Sequence, residues 1–401
     1  MKVLFLTIVK ISSFDERGIY TDLLRKFHSE GHEVNVVCPI ERRENKNTFI
    51  LEEDKGKILN VKTFNLQKTN IIEKGLGTIA IEYQFLKAIK KQFSEVKFDV
   101  VIYSTPPITF VKVIQFIKKR DGAYSYLLLK DIFPQNAIDM KMLKENGILH
   151  NFFLNKERKL YAISDTIGCM SEANKKFLIQ HNPAINPEKV EINPNTIEPF
   201  KYNYSQEQKN AIKAKYSLPI DKKIFVYGGN LGKPQGIDFL LETILSTTNE
   251  AFFFLIVGSG TEFNRVEIWF QNFKPNNAFL LAGLPKQDYD LLLNACDVGL
   301  IFLHKDFTIP NFPSRLLSYL EIKLPIIAAT DVNSDIGDVV ENFGCGFKVV
   351  SGDHAKMLHC INAIIENEAY YCQMQEKAWQ LLQNEYLVKR SFNLITDKLH
   401  V

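Results

Sequence analysis

Between Phe225 and Gly236 the chain reads FVYGGNLGKPQG, and these residue types suit the binding of an anion. Gly228 and Gly229 end a short apolar run, Ile224–Tyr227, that has the composition of a buried strand. Glycine at a strand exit lets backbone approach a ligand closely, because no Cβ stands between them. After Asn230, Leu231 and Gly232 the pattern changes to a helix with Ile237, Leu240, Leu241 and Ile244 on one face. The first turn of such a helix offers unpaired N–H groups and the positive end of its dipole, to which phosphate is the commonest guest. Lys233 adds a full charge to the loop. The same glycines also suit an ordinary βα turn of a parallel sheet. Val257–Gly258–Ser259–Gly260 is a second glycine-rich strand exit. Pro313–Ser314–Arg315 opens a helix carrying Leu316, Leu317 and Leu320. A cation at a helix start is badly placed unless it meets an anion, and a guanidinium can grip two phosphate oxygens at once.

Such turns need parallel strands behind them, and the chain supplies two sets. Val3–Val9 is a near-continuous apolar run, followed by a loop, Gly18, a helix with Leu23, Leu24 and Phe27 on one face, and the strand Glu33–Cys38. This β-loop-α-β opening is that of a doubly wound sheet. Gly18, just before the helix, suits either a ligand or close helix packing. Residues 41–75 read as an irregular charged excursion, the kind of place where α/β folds keep specificity loops, with Arg42 and Arg43 at its start. A helix is expected over 78–93 and a strand over Asp99–Tyr103. Phe110, Val113, Ile114 and Ile117 then form a helical stripe beside Lys112, Lys118, Lys119 and Arg120, which suits either an anionic membrane surface or a core helix with a solvated basic end. Asp131 follows the strand Tyr124–Lys130 at its carboxyl end, and Val190–Ile192 closes this half before Asn193–Pro194–Asn195. Glu198–Ser205 reads as a linker. In the second half Ile224–Tyr227, Phe252–Val257, Ala278–Leu281, Val298–Phe302 and Ile326–Ala329 read as strands, and Glu376–Leu394 as one final long helix.

At 401 residues the chain is long enough for two domains. A formal charge of +3 gives no argument for nucleic acid. Six scattered cysteines without a C-x-x-C pair suggest reduced core thiols and no zinc site. The N-terminal apolar run lacks a cleavage site, and no stretch reaches the about 20 apolar residues that span a bilayer, so a cytoplasmic protein is expected.

Two Rossmann-like halves, with YGGNLGKPQG, VGSG, the Ala282–Gly283 turn and FPSRLLSYLEIKLPII in the second and Gly31–His32–Glu33–Val34 in the first, resemble the GT-B glycosyltransferases, specifically glycosyltransferase family 4. Within it the chain is most similar to bacterial transferases of capsule and O-antigen assembly that handle N-acetylated amino-deoxy sugars such as N-acetylfucosamine. The resemblance implies an α/β GT-B fold with two Rossmann-like domains facing a central cleft. Residues 1–199 would bind the acceptor, with Arg42 and Arg43 as its candidate contacts and 385–401 packing back on them, and 200–384 would bind the nucleotide-sugar. It implies a retaining transfer from a UDP-sugar to a lipid-linked saccharide, weakly associated with the inner membrane face, without nucleic acid, metal or cofactor. Lys233, Arg315 and the Gly229–Gly236 backbone would clamp the diphosphate, with the Ser314 and Leu316 amides adding hydrogen bonds. Gly18, Asn230, Gly232, Gln235, Gly258, Gly260, Gly283 and Pro313 complete the implied donor site, and Asp131 joins Arg315 and Lys233 as a catalytic candidate.

Three departures from the family pattern matter. Asn230 and Gln235 stand where many relatives carry an arginine and a lysine, with Lys233 close enough in sequence to compensate. The family's paired glutamates fall near Pro310 and on Ser318, leaving Glu321 one turn on, on the same helical face, either as a ribose contact or as a solvated charge. The histidine that some relatives carry after an N-terminal strand is replaced near Asp131, which leaves the catalytic base unassigned. Two other readings remain: an inactive nucleotide-sugar-binding subunit, which would release no sugar from a donor, and a nucleotide-sugar epimerase, which would need an acidic and histidine cluster that the sequence lacks.

Overall fold

A computed structural model describes residues 1–66 and 71–399. It divides into two compact units, Met1–Ile197 with Val388–Val401, and Glu198–Leu387. In the first unit the chain runs through β1 (Lys2–Leu6), α1 (Ile19–Ser29), β2 (Glu33–Glu41), β3 (Phe49–Glu53), β4 (Gly56–Thr63), α2 (Ile71–Gln92), β5 (Val100–Ser104) and α3 (Val111–Asp121). It continues through β6 (Tyr124–Leu129), α4 (Gln135–Asp139), α5 (Ile148–Ile163), β7 (Thr166–Cys169), α6 (Glu172–His181) and β8 (Val190–Ile192). The sheet order is β3-β4-β2-β1-β5-β6-β7-β8, so the winding direction reverses between β1 and β5. Its central strands are buried along nearly their whole length, which explains their unbroken apolar runs.

The excursion expected to be irregular over 41–75 contains the antiparallel pair β3–β4. Alternating charges in FILEEDKGKILNVKT hide it, because β3 is a half-exposed edge and only the middle of β4 is fully buried. Gly56 is required there: it has φ +146°, and a Cβ would come within 1.9 Å of the Val34 carbonyl oxygen. The basic stripe on α3 also resolves. Phe110, Val113, Ile114 and Ile117 are buried. Lys118 is paired with Asp165 at 2.6 Å, and Arg120 holds Asp121 and the carbonyls of Phe93 and Val96. The apolar stripe of α3 thus belongs to the core, and Lys118 and Arg120 are spent inside the unit, while Lys112 and Lys119 stay exposed.

The second unit contains α7 (Gln206–Lys215), β9 (Lys223–Asn230), α8 (Ile237–Ser246), β10 (Phe252–Ser259), α9 (Phe263–Phe273), β11 (Ala278–Ala282), α10 (Lys286–Leu293) and β12 (Val298–Phe302). It ends with α11 (Arg315–Glu321), β13 (Ile326–Thr330), α12 (Ile336–Phe343), β14 (Gly346–Val350), α13 (His354–Glu366) and α14 (Glu368–Glu385). The order β11-β10-β9-β12-β13-β14 is parallel throughout, with the reversal between β9 and β12. Ligands of open α/β sheets sit at the carboxyl ends of strands at such reversals.

The final helix expected as one piece over Glu376–Leu394 is two, α14 and α15 (Val388–Thr396). The break lets the Val388 N–H donate to the Ile197 carbonyl at 2.9 Å, so the chain re-enters the first unit beside the point where it left. There α15 covers α1, with the Phe392 ring set edge-on to Phe27 at 4.9 Å between centroids. Phe392→Ala should therefore destabilise the first unit by on the order of 3 kcal/mol, the usual cost of emptying a buried aromatic site. Chemical denaturation followed by fluorescence should show an earlier first transition.

Candidate functional site

Three strand exits of the second unit stand level. Gly258 is in register with Gly229 on one side and Ala282 on the other, and Ser259 with Asn230. Close packing, not only ligand approach, demands the glycines: a Cβ on Gly258 would lie 2.1 Å from the Gly229 carbonyl oxygen, and one on Gly260 2.3 Å from that of Leu231. Gly229 is different. It has φ +121°, and the nearest atom to its absent Cβ is Nη2 of Arg315, at 3.7 Å. A Cβ on Gly283 would have the Ser259 side chain nearest, at 3.4 Å, an ordinary contact distance. Gly236, left-handed at φ 57°, starts α8 after a single 3₁₀ turn over Lys233–Gln235.

Arg315 lies across this loop. Its guanidinium carbon is 4.3 Å from the centre of the Tyr227 ring, and its Nη2 donates to Gln235 Oε1. Nη1 is buried and has no partner, and no carboxylate pairs with the side chain among the described residues. A desolvated cation held only by a neutral amide and an aromatic face is poised for an anion. Thus position 235 carries no cation of its own and supports the one that α11 brings to the loop. Lys233, expected to compensate, is exposed and makes no contact with this group.

Three tyrosines that the sequence reading passed over build the floor. Tyr319, one turn beyond Arg315, accepts a hydrogen bond from the Gly228 N–H at 3.2 Å and lies 3.2 Å from the carbonyls of Val226 and Leu300. Burial pushes its phenol up to about 12, so it remains a donor. Tyr289 packs over Gly228, where a Cβ would fall 1.7 Å from its oxygen, and burial raises it well above its ordinary value. Tyr227 donates to the Asn230 carbonyl at 2.9 Å. The i, i+4 spacing of Arg315 and Tyr319 and the tyrosine preceding the glycine pair were the available signals.

Other expected site residues fall elsewhere. The Leu316 amide is taken by the Pro313 carbonyl at 3.3 Å, whereas the Ser314 N–H makes no hydrogen bond among the described residues. Glu321 is neither a solvated charge nor free for a ribose: it is buried, and its carboxylate accepts the Phe200 N–H at 2.6 Å, anchoring the linker. Ser318 is half-buried on α11 between Arg315 and Glu321. Gly18 precedes α1 in extended conformation, but Asp22 Oδ1 already sits 3.5 Å from its N–H, so that helix start carries its own anion. Arg42 pairs with Glu73 at 2.9 Å and Arg43 with Glu41, so neither acceptor candidate presents an unpaired charge.

In the first unit a separate polar group lies at the carboxyl ends of β6 and β8. Thr105 Oγ accepts the N–H groups of Lys130 and Asp131 at 3.0 and 3.1 Å. Burial pushes the Asp131 carboxyl up to about 6, while Asn136 Nδ2 lies 2.9 and 2.8 Å from its two oxygens. Burial lowers Lys130 to about 7, and its ammonium donates to the Asn193 carbonyl at 3.1 Å. The side-chain oxygens of Asn136, Asn193 and Asn195 are buried without partners. Asn136 contacts the Asp131 carboxylate and Asn193 holds Lys130 through its backbone carbonyl, and unsatisfied amide oxygens of this kind suit a ligand rich in hydroxyl groups. Lys130 and the three asparagines were not singled out from the sequence, because only their spatial neighbours give them meaning. Among the described residues no group of His, Cys, Asp and Glu is placed to hold a metal ion.

Residues 208–380 match the family described as Glycosyl transferases group 1. The chain is 24% identical over 306 residues to the probable glycosyltransferase WbjE of Pseudomonas aeruginosa, covering 75% of this chain and 74% of that one. It is 23% identical over 274 residues to the putative colanic acid biosynthesis glycosyl transferase WcaI of Escherichia coli (strain K12), covering 67% and 65%. The crystal structure of Anabaena HepE in complex with UDP superposes with a TM-score of 0.72 and 15% identity, over 100% of this chain and 99% of that one.

If Arg315 is the anion grip, Arg315→Ala should weaken binding of inorganic pyrophosphate to the protein about tenfold or more, the loss expected for charge-assisted hydrogen bonds. Lys233→Ala should change it much less. Titration calorimetry at fixed ionic strength measures both.

Proposed function

We propose, on the premise that the chain is a GT-B glycosyltransferase whose second unit carries the group 1 segment, that its donor is a UDP-sugar bound by that unit. The observation that carries this reading is the unpartnered Arg315 Nη1 above Gly229. As the bond from sugar C1 to the diphosphate breaks, negative charge grows on the departing phosphate oxygen, and a preorganised cation there lowers the barrier. The Ser314 N–H and the first turn of α8 lie on the same loops. The UDP of the HepE complex, on the same fold, supports the nucleotide. We take the sugar to be an N-acetylated amino-deoxy hexose, transferred with retention of configuration in capsule or O-antigen assembly, and the name of WcaI agrees with polysaccharide biosynthesis as the setting.

The acceptor, a lipid-linked saccharide, is assigned to the first unit, whose unsatisfied asparagine oxygens suit sugar hydroxyls. Asp131 is the acidic group nominated there to meet the acceptor hydroxyl. The protein then works in the cytoplasm, at the inner face of the membrane, with no metal or cofactor in the reaction.

The decisive measurement is release of UDP from a panel of UDP-sugars. One N-acetylated amino-deoxy donor should stand out, and no release from any member sinks the reading. With that donor Arg315→Ala should cost about 2–4 kcal/mol in transition-state stabilisation. A turnover within twofold of wild type would remove Arg315 from the site. The pH profile tests Asp131: protonation should silence it, so turnover should fall as pH drops through about 6. Asp131→Asn should remove that limb and leave UDP affinity unchanged.

A further inference from the structure

With α3 turned inward, the apolar surface of the first unit lies elsewhere. Leu76, Ile79 and Tyr83 are 59%, 42% and 54% exposed along one stripe of α2, and Ile148, Leu149 and Phe152 are 90%, 60% and 37% exposed on α5. These stripes belong together. α2, α3 and α5 are successive crossovers to β5, β6 and β7, so they run parallel on one face, with their N-terminal turns at the carboxyl end of the sheet. α3 packs against both of the others. Buried Glu82 of α2 ties the three together, accepting the Lys112 N–H at 2.6 Å and facing Lys156 Nζ at 3.3 Å. Both exposed stripes lie N-terminal to, or beside, that tie.

Cations surround the patch. Lys112 Nζ stands 4.5 Å from the Tyr83 ring centre, and Lys156, whose charge is met by Glu82, has its Nζ 6.0 Å from that of Phe152. Exposed Lys141 and Lys144, with Met142 exposed between them, lead into α5, and Glu145 is the exposed acid of that turn. Protein partners usually meet aromatic and arginine-rich centres with lysine depleted. Aliphatic tips ringed by lysine ammonium groups are instead the composition that inserts into the headgroup boundary of an anionic bilayer.

We infer that this face of α2 and α5 is a docking surface for a bilayer that carries anionic headgroups. The inference deepens the reading of a lipid-linked acceptor, because it puts the polar group at the ends of β6 and β8 on the membrane-facing rim of its own unit. It rests on that reading for its purpose but not for its test.

Vesicles of equal parts phosphatidylglycerol and phosphatidylcholine should sediment the protein, vesicles of phosphatidylcholine alone much less so, and added salt should release it. The double variant Ile148→Glu, Leu149→Glu should lose about tenfold or more in partitioning, since two side chains no longer enter the interface. Its UDP release from the donor should match wild type, which shows that the donor unit is intact, and Leu76→Glu should repeat the loss from the neighbouring helix. Equal sedimentation of wild type and the double variant would overturn the inference. So would a wild-type dimer, seen by light scattering, that ignores vesicles and falls apart in the double variant. If the donor reading were the one at fault, vesicle binding would persist while no UDP-sugar released UDP.

Discussion

The second unit depends on one phenol. β9 and β12 pair only at Phe225–Val298 and Val226–Gly299, and beyond that point the two strands part. Parting strands leave buried backbone groups facing each other without partners, at a cost comparable to a lost hydrogen bond each. The Tyr319 hydroxyl fills that gap, between the Gly228 N–H and the carbonyls of Val226 and Leu300. Gly299 makes room for its ring, which a Cβ there would strike at 2.5 Å, and Gly228 makes room for the neighbouring Tyr289. With Tyr319 fixed, the helix that carries it is fixed, and Arg315 one turn earlier is set over the glycine loop. The sheet is thus open where a ligand must enter, and the side chain that seals the opening also aims the cation.

Much of this architecture was legible in the sequence because the signals were local. Strand exits at Gly229, Gly258 and Gly283, and the helix start at Pro313–Ser314–Arg315, are patterns within a few residues, and each stands at a strand or helix end in the fold. The failures share a cause. Lys233 lies two residues from Gln235 in sequence, which suggests it as the local cation; the cation that Gln235 holds comes from a residue far along the chain, which only the reversal between β9 and β12 brings close. Glu321 has the helical spacing of a site residue, yet its carboxylate is committed to the Phe200 amide. In α3 the residues next to the apolar stripe are basic, but the acids and carbonyls that absorb them, Asp165, Phe93 and Val96, come from other elements. Periodicity reports which face is apolar and stays silent about whom the other face meets.

The two units also solve the problem of polar burial differently. In the second, one cation is kept short of partners among tyrosines whose protons burial retains. In the first, a carboxyl near 6 and an amine near 7 sit on consecutive residues, each held by amide groups and neither by the other. Groups left so near neutrality change charge with small changes of surroundings, which fits a place where a substrate's hydroxyls come and go.

The backbone bond between Ile197 and Val388 has a consequence for how the protein is made. The second unit is spliced into the first: everything from Glu198 to Leu387 lies between two segments that must meet for the first unit to be whole. During synthesis the later unit can close its core as soon as its own residues have emerged, while the earlier one waits, with Phe27 uncovered, for α15 to follow. Of the two units, the one entered first is completed second.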